Sequence, residues 1–114
     1  MDPAEQLLRR LALNDERAVD VVLGSGAGVS RADVRPGMSP KVDLLIRLGA
    51  LVALGAATPS LRRTVELARG AGATEEEIVG VLVAVAPTVG LARVVSAAPK
   101  LALAIGYDTD REDD

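Results

Sequence analysis

Hydrophobic positions between Ser39 and Ile105 recur at intervals of three or four, in four successive blocks separated by capping residues, glycines and prolines. Ser39-Pro40 is a cap followed by a proline at the first helical position. Leu44, Leu45, Leu48, Leu51, Val52 and Gly55 then keep the helical period through to about Ala57. A helix this apolar all round belongs at the centre of a protomer or between subunits. Thr58-Pro59 opens a second helix, Ser60 to Arg69, with Gly70 and Gly72 expected as left-handed terminators. Thr74 with Glu77 forms a capping box, Glu75 and Glu76 add negative charge where the helix dipole favours it, and Ile78, Val81, Leu82 and Val85 form an inward stripe. Pro87 predicts a kink or an end near Val83 to Ala86, because it removes a backbone donor and crowds the preceding turn. Leu91, Val94, Val95, Ala98, Leu101, Ala102 and Ile105 continue at helical spacing, with Pro99 as a second expected kink.

Upstream, Asp2, Pro3 and Glu5 have the arrangement of a capping box, and Leu7, Leu8 and Leu11 supply a stripe behind it. From Asp15 to Leu23, Ala18, Val19, Val22 and Leu23 fall at helical spacing. Val19-Asp20-Val21-Val22-Leu23 is also compatible with a strand, and helix is the reading taken. Gly24, Gly26, Gly28, Pro36 and Gly37 mark a loop. The organisation expected is a helical arm and glycine-rich loop over residues 1–38, a helical domain over 39–107 and an acidic tail over 108–114. Gly24-Ser-Gly-Ala-Gly28-Val-Ser30 superficially matches a nucleotide-binding turn. Val29 stands where the third glycine would be, no lysine precedes Ser30, and no βαβ alternation follows.

Composition narrows the chemistry. In 114 residues, 49% are hydrophobic but only 1% aromatic, Tyr107 alone, so the core has to be built from Leu, Val, Ile and Ala. A mean hydropathy of +0.28 without a stretch long enough to span a bilayer points to apolar helix faces buried between subunits, hence a homo-oligomer and no membrane. The net charge of -3 and the lack of stacking aromatics argue against nucleic acid. With no cysteine and no histidine, disulfides, thiol nucleophiles, thiolate metal sites and imidazole proton transfer are closed off, and no metal or cofactor is expected. The first residues lack the basic-then-apolar order of a signal peptide, which suggests a cytoplasmic location.

Ser39-Pro40-Lys41, Leu51-Val-Ala-Leu-Gly55, Leu61-Arg62 and above all Gly72-Ala73-Thr74-Glu75-Glu76-Glu77-Ile78 resemble the carboxymuconolactone decarboxylase family, which includes the alkylhydroperoxidase D-like proteins. The resemblance covers about residues 39 to 105. It implies a compact, all-α, multi-helix alkylhydroperoxidase D-like fold assembled as trimers or hexamers, with a small pocket at a subunit interface. The peroxidase branch carries Cys-x-x-Cys and, four residues on, a His. Those positions fall on Ala57, Ser60 and Thr64, and neither a methyl nor a hydroxyl replaces a thiolate that attacks peroxide. The decarboxylase branch keeps the His position, here Thr64, which cannot accept a proton at neutral pH. The family's upstream acidic residue falls near Leu45, with Asp43 the closest carboxylate, and its usual Tyr-x-Gly is Thr88-Val89-Gly90.

The candidate pocket residues are therefore Asp43, Arg47, Ser60, Thr64, Thr88 and Arg93. Asp43 and Arg47, four apart, suit an exposed ion pair, or a pocket in which Arg47 holds a substrate carboxylate. Ser60 and Thr64 share a helix face but have no base to activate them. Arg93 interrupts an apolar run from Ile78 to Ala98, so its charge must reach water, a partner carboxylate or an anionic ligand. The expected function is a non-redox, oligomeric module that binds a small apolar or carboxylate ligand or serves assembly. The alternative is a cofactor-free decarboxylase of a lactone or keto acid, in which Arg47 or Arg93 fixes the carboxylate and Asp43 or water handles the proton.

Overall fold

The computed structural model describes residues 2–24 and 37–107, and every regular element among them is a helix: α1 (Pro3–Ala12), α2 (Glu16–Leu23), α3 (Pro40–Leu54), α4 (Thr58–Gly70), α5 (Glu75–Val89) and α6 (Leu91–Ile105). The all-α class follows directly. The interior of the glycine-rich loop, with most of the turn that mimics a nucleotide site, and the acidic tail lie outside the described residues. Two compact units are present, Met1–Met38 and Ser39–Asp114.

In the first unit, α1 and α2 pack on each other. Asp2 caps α1 by accepting from the Ala4 amide at 3.2 Å. Glu5 does not close a capping box and instead pairs forward with Arg9, Nη2 to Oε1 at 3.0 Å. Asp15 caps α2, accepting from the amides of Arg17 at 2.9 Å and Ala18 at 3.3 Å, and Gly24 ends it in the left-handed region. The segment from Val19 to Leu23 is helical, which removes the strand alternative. The Asp15 cap, with its two bonds, and a glycine stop outweigh the β-branched valines.

The second unit is organised around α3, which packs against α4, α5 and α6, while α4 and α5 each also pack on α6. Ser39 caps α3 through the Val42 amide at 3.2 Å. The helix ends at Leu54, short of the expected Ala57, because Gly55 adopts φ 69° and is the left-handed cap rather than another apolar position in the stripe. Similarly, Gly70 is still helical, Ala71 closes α4, and only Gly72, at φ 98°, is left-handed. Leu48 and Val52 of α3 meet Leu61, Val65 and Ala68 of α4, Ile78 of α5, and Ala97, Leu101 and Ile105 of α6 in one core. Leu48, Leu61 and Ile78 are fully buried, which stabilises the fold by about 1.5–3 kcal/mol each. Gly49 lets α3 and α5 approach closely, since a Cβ there would lie 3.1 Å from Val85 Cγ1.

Two readings of the last helices change: α5 does not end at Pro87, and the buried stripe of α6 is not the one expected. α5 continues through Pro87 to Val89. Pro87 sits in the final turn, so the missing donor costs a single bond to the carbonyl of Val83, an exposed residue whose carbonyl water can serve. α6 likewise runs unbroken past Pro99, and its buried stripe is Ala97, Leu101 and Ile105 with Val94 and Ala104 half-buried beside it. Leu91 and Val95, expected inside, are 76% and 60% exposed. The helix is apolar on more than one face, so period alone does not decide which stripe turns inward.

Charged contacts fasten the helix ends. The Thr74 hydroxyl accepts from the Glu77 amide at 3.1 Å and Glu77 Oε1 accepts from the Thr74 amide at 2.9 Å, completing the expected capping box. Glu77 also meets Lys41 Nζ at 3.0 Å, joining α5 to α3. Arg69 binds Glu75 at 2.9 Å, and the Tyr107 hydroxyl donates to the other oxygen of Glu75 at 2.8 Å. The bond from the Thr74 amide, then that from Lys41, holds the Glu77 carboxyl below its usual 4.5, whereas the bond to Glu75 raises the Tyr107 phenol above its usual 10.0.

Gly90 alone joins α5 to α6, at φ 91° and ψ 157°, a region essentially restricted to glycine. Gly90→Ala is expected to cost about 1–3 kcal/mol in urea unfolding; because a Cβ there would meet nothing within 4 Å, the loss is purely conformational. For Glu77 the depressed folded pKa means that its contribution is present above 4.5 and is lost as pH falls through the lower folded value. Melting temperature followed downward from pH 5 should therefore fall less steeply in Glu77→Gln than in the parent chain, and identical slopes would remove Glu77 from the acid response.

Candidate functional site

Where α3 stops, a cavity begins. The Gly55 amide bonds back to the carbonyls of Leu51 and Val52, the chain turns through Ala56 and Ala57, and α4 starts at Thr58 with no side chain capping it. Between this turn and α6 lies a cavity of about 230 Å³. Leu51, Val52 and Leu61 give it an apolar floor, and Arg93, Ser96 and Lys100 line it from α6. These last three stand at i, i+3 and i+7, one face of a helix.

The two cations converge on neighbouring residues of the α3–α4 turn. Arg93 Nη1 lies 2.8 Å from the point where a Cβ on Gly55 would sit, so the guanidinium occupies space that only glycine leaves free. Lys100 Nζ donates to the carbonyl of Ala56 at 3.3 Å. Arg93 makes no hydrogen bond or ion pair among the described residues. No carboxylate is among the residues that line the cavity, and thiols and imidazoles are absent from the chain. The arrangement can hold an anion against an apolar floor but has no evident proton acceptor.

A second concavity, an open groove of about 580 Å³, runs between α3 and α5 and is lined by Val42, Ile46, Ala53, Val85 and Thr88 among others. Among the described residues no group of His, Cys, Asp and Glu could hold a metal ion.

The six residues singled out from sequence are distributed over several places. Arg93 lines the cavity. Thr88 lines the α3–α5 groove. Asp43 and Arg47 are paired along α3, Oδ2 to Nε at 3.0 Å, with the Asp43 side chain only 13% exposed and that of Arg47 41%, so the pair is less exposed than its spacing alone suggests. Neither is among the residues lining the cavity that holds Arg93. Ser60 is exposed in the first turn of α4, and Thr64 is buried one turn on, in the stripe formed by Leu61, Val65 and Ala68. Sequence reasoning missed Lys100 and Ser96. Their spacing from Arg93 was the available signal, obscured because the stripe taken as buried on α6 was a neighbouring one.

The carboxymuconolactone decarboxylase family model matches residues 26–103. It reaches back into the glycine-rich segment, ahead of residue 39 where the motif resemblance begins. No curated protein and no solved structure matches the chain.

The closeness of Gly55 and Arg93 can be measured as a coupling. Gly55→Ala is expected to cost about 1–2 kcal/mol from its left-handed backbone, together with displacement of the guanidinium. In a double-mutant cycle with Arg93→Ala the displacement disappears and the backbone strain stays, giving a coupling on the order of 0.5 kcal/mol or more in urea unfolding. Strict additivity would mean that the guanidinium does not lie over Gly55.

Proposed function

The chain belongs to the carboxymuconolactone decarboxylase family, and from that premise we propose that it is a cytoplasmic, homo-oligomeric, non-redox module that binds a small molecule in the cavity between α3, α4 and α6. The observation that carries this reading is the lining of that cavity: an apolar floor and two cations, without a carboxylate, thiol or imidazole. Thiol peroxidase chemistry needs a thiolate to open the peroxide and a second thiol to resolve the product, and a chain without cysteine supplies neither.

Assembly is supported by apolar surface. Leu54, Val83 and Leu91 are 76%, 69% and 76% exposed, and the α3–α5 groove is lined almost wholly by aliphatic side chains. A chain with so much exposed aliphatic surface gains by covering it with a second copy, and members of the family are often oligomeric. Trimers or hexamers are the assemblies the family resemblance implies.

The second reading, a cofactor-free decarboxylase of a lactone or keto acid, is favoured by one observation, the cationic rim at Arg93, which could fix a carboxylate. Asp43, the proton carrier first considered, is not among the residues lining that rim and is engaged by Arg47. Water would then have to handle the proton.

Light scattering on the purified chain at micromolar concentration should give a mass that is a multiple of 11.7 kDa, and a monomer would remove the assembly part of the proposal. A thermal-shift screen against small metabolites should find a stabilising ligand, since anything that prefers the native state raises its melting point. Carbon dioxide release from 4-carboxymuconolactone that is abolished by Arg93→Ala would instead place the decarboxylase first.

A further inference from the structure

We propose that the cavity is a receptor for a small organic monoanion, a carboxylate with a short aliphatic tail, whose oxygens are held between Arg93 and Lys100 and whose tail lies on Leu51, Val52 and Leu61. The inference rests on the small-molecule reading above and adds the charge, size and orientation of the ligand.

Charge comes first. Two cationic side chains line the cavity and no acid is among the lining residues, in a chain whose net charge is -3. Seven residues apart on a helix, Arg93 and Lys100 have α-carbons roughly 10 Å apart. Their head groups nevertheless reach adjacent residues of the opposing turn, Arg93 over Gly55 and Lys100 at the carbonyl of Ala56. Like charges directed to neighbouring residues repel; water at the exposed Arg93 screens part of that repulsion and an anion would remove more of it. Part of that compensation comes from the carbonyl end of α3, and Lys100 uses one donor there. Among the described residues the exposed Arg93 guanidinium makes no hydrogen bond or ion pair, so its fork of N–H donors is available to a ligand or to water. The Ser96 hydroxyl, between the cations on the same helix face, adds a third donor.

Size comes from the volume. A space of about 230 Å³ corresponds to about seven or eight waters at roughly 30 Å³ each. That space accommodates a carboxylate of about eight heavy atoms. Orientation follows from the lining, because the polar side chains are on α6 and the floor comes from α3 and α4.

The test uses the full-length chain and two isosteric probes, hexanoate and the neutral hexanamide, at constant ionic strength. Hexanoate is expected to raise the melting temperature more than hexanamide and to shift the amide resonances of Gly55 and Ser96. Arg93→Gln and Lys100→Met are each expected to weaken hexanoate about tenfold or more, the loss of a charge-assisted contact, and to weaken hexanamide by a smaller factor, since its neutral carbonyl makes only ordinary hydrogen bonds to the same donors. Equal responses to the two probes would overturn the anion assignment and leave small-molecule binding standing. No response to either would overturn the assignment of a short aliphatic carboxylate, while the metabolite screen decides separately whether the cavity binds a small molecule at all. A hexanoate response undiminished in both variants, or resonance shifts away from Gly55 and Ser96, would place the anion elsewhere and also overturn the assignment.

Discussion

The burial of α3 is the constraint on which the remaining structure depends. Its residues face three other helices, and without aromatic side chains the surrounding space has to be filled by Leu, Val, Ile and Ala. Small and branched side chains fill space only when helices come close, and Gly49 permits that approach where α3 meets the valines of α5. The same arrangement determines where packing stops. α3 ends at Gly55, the chain turns through Ala56 and Ala57 into α4, and α6 lines the space beside that turn with the short side chains of Ala92 and Ala97 as well as its polar residues. The cavity is the volume left when a helix ends beneath a neighbour that carries alanine at that level.

Four helix starts were legible because their chemistry is local, whereas α4, expected from Ser60 behind Thr58, begins at Thr58 after Ala57 with no side-chain cap. Asp2, Asp15, Ser39 and Thr74 each accept a backbone amide within three residues, and each is recognisable without knowledge of the rest of the chain. Helix ends were less so. Gly55 and Gly70 occupy similar sequence contexts, yet one is a left-handed cap and the other remains helical. The choice depends on where the following segment has to go, which local sequence does not contain. The inward face of α6 was misassigned for a related reason. Leu91 and Val95 are as apolar as Leu101 and Ile105, and only the position of α3 and α4 decides which pair is covered.

The site was partly legible. Arg93 stood out because a charge within an apolar run demands an explanation, and it does line the cavity. Lys100 attracted no such notice at the edge of that run, although its spacing from Arg93 places it on the same face. Ser60 and Thr64 were chosen through family correspondence. Thr64 lies within the buried stripe of α4 while Ser60 remains at the surface, so of these two positions, to which the resemblance assigned redox and proton chemistry, one is a packing position and the other a solvated one.

The arrangement of charge also bears on whether binding or decarboxylation is the better reading. In decarboxylation the negative charge leaves the carboxylate oxygens and accumulates on the adjacent carbon as the bond breaks. Catalysis requires contacts that strengthen along that path. Arg93 and Lys100 gripping the oxygens would do the opposite, holding charge where it starts and deepening the ground state. An enzyme would need a donor aimed at the carbon beyond the carboxylate. On the orientation argued here that carbon faces Leu51, Val52 and Leu61, which donate nothing from their side chains. Two cations at the rim and aliphatic groups beneath them favour retention of a carboxylate over its loss, which is the physical reason for ranking binding ahead of catalysis.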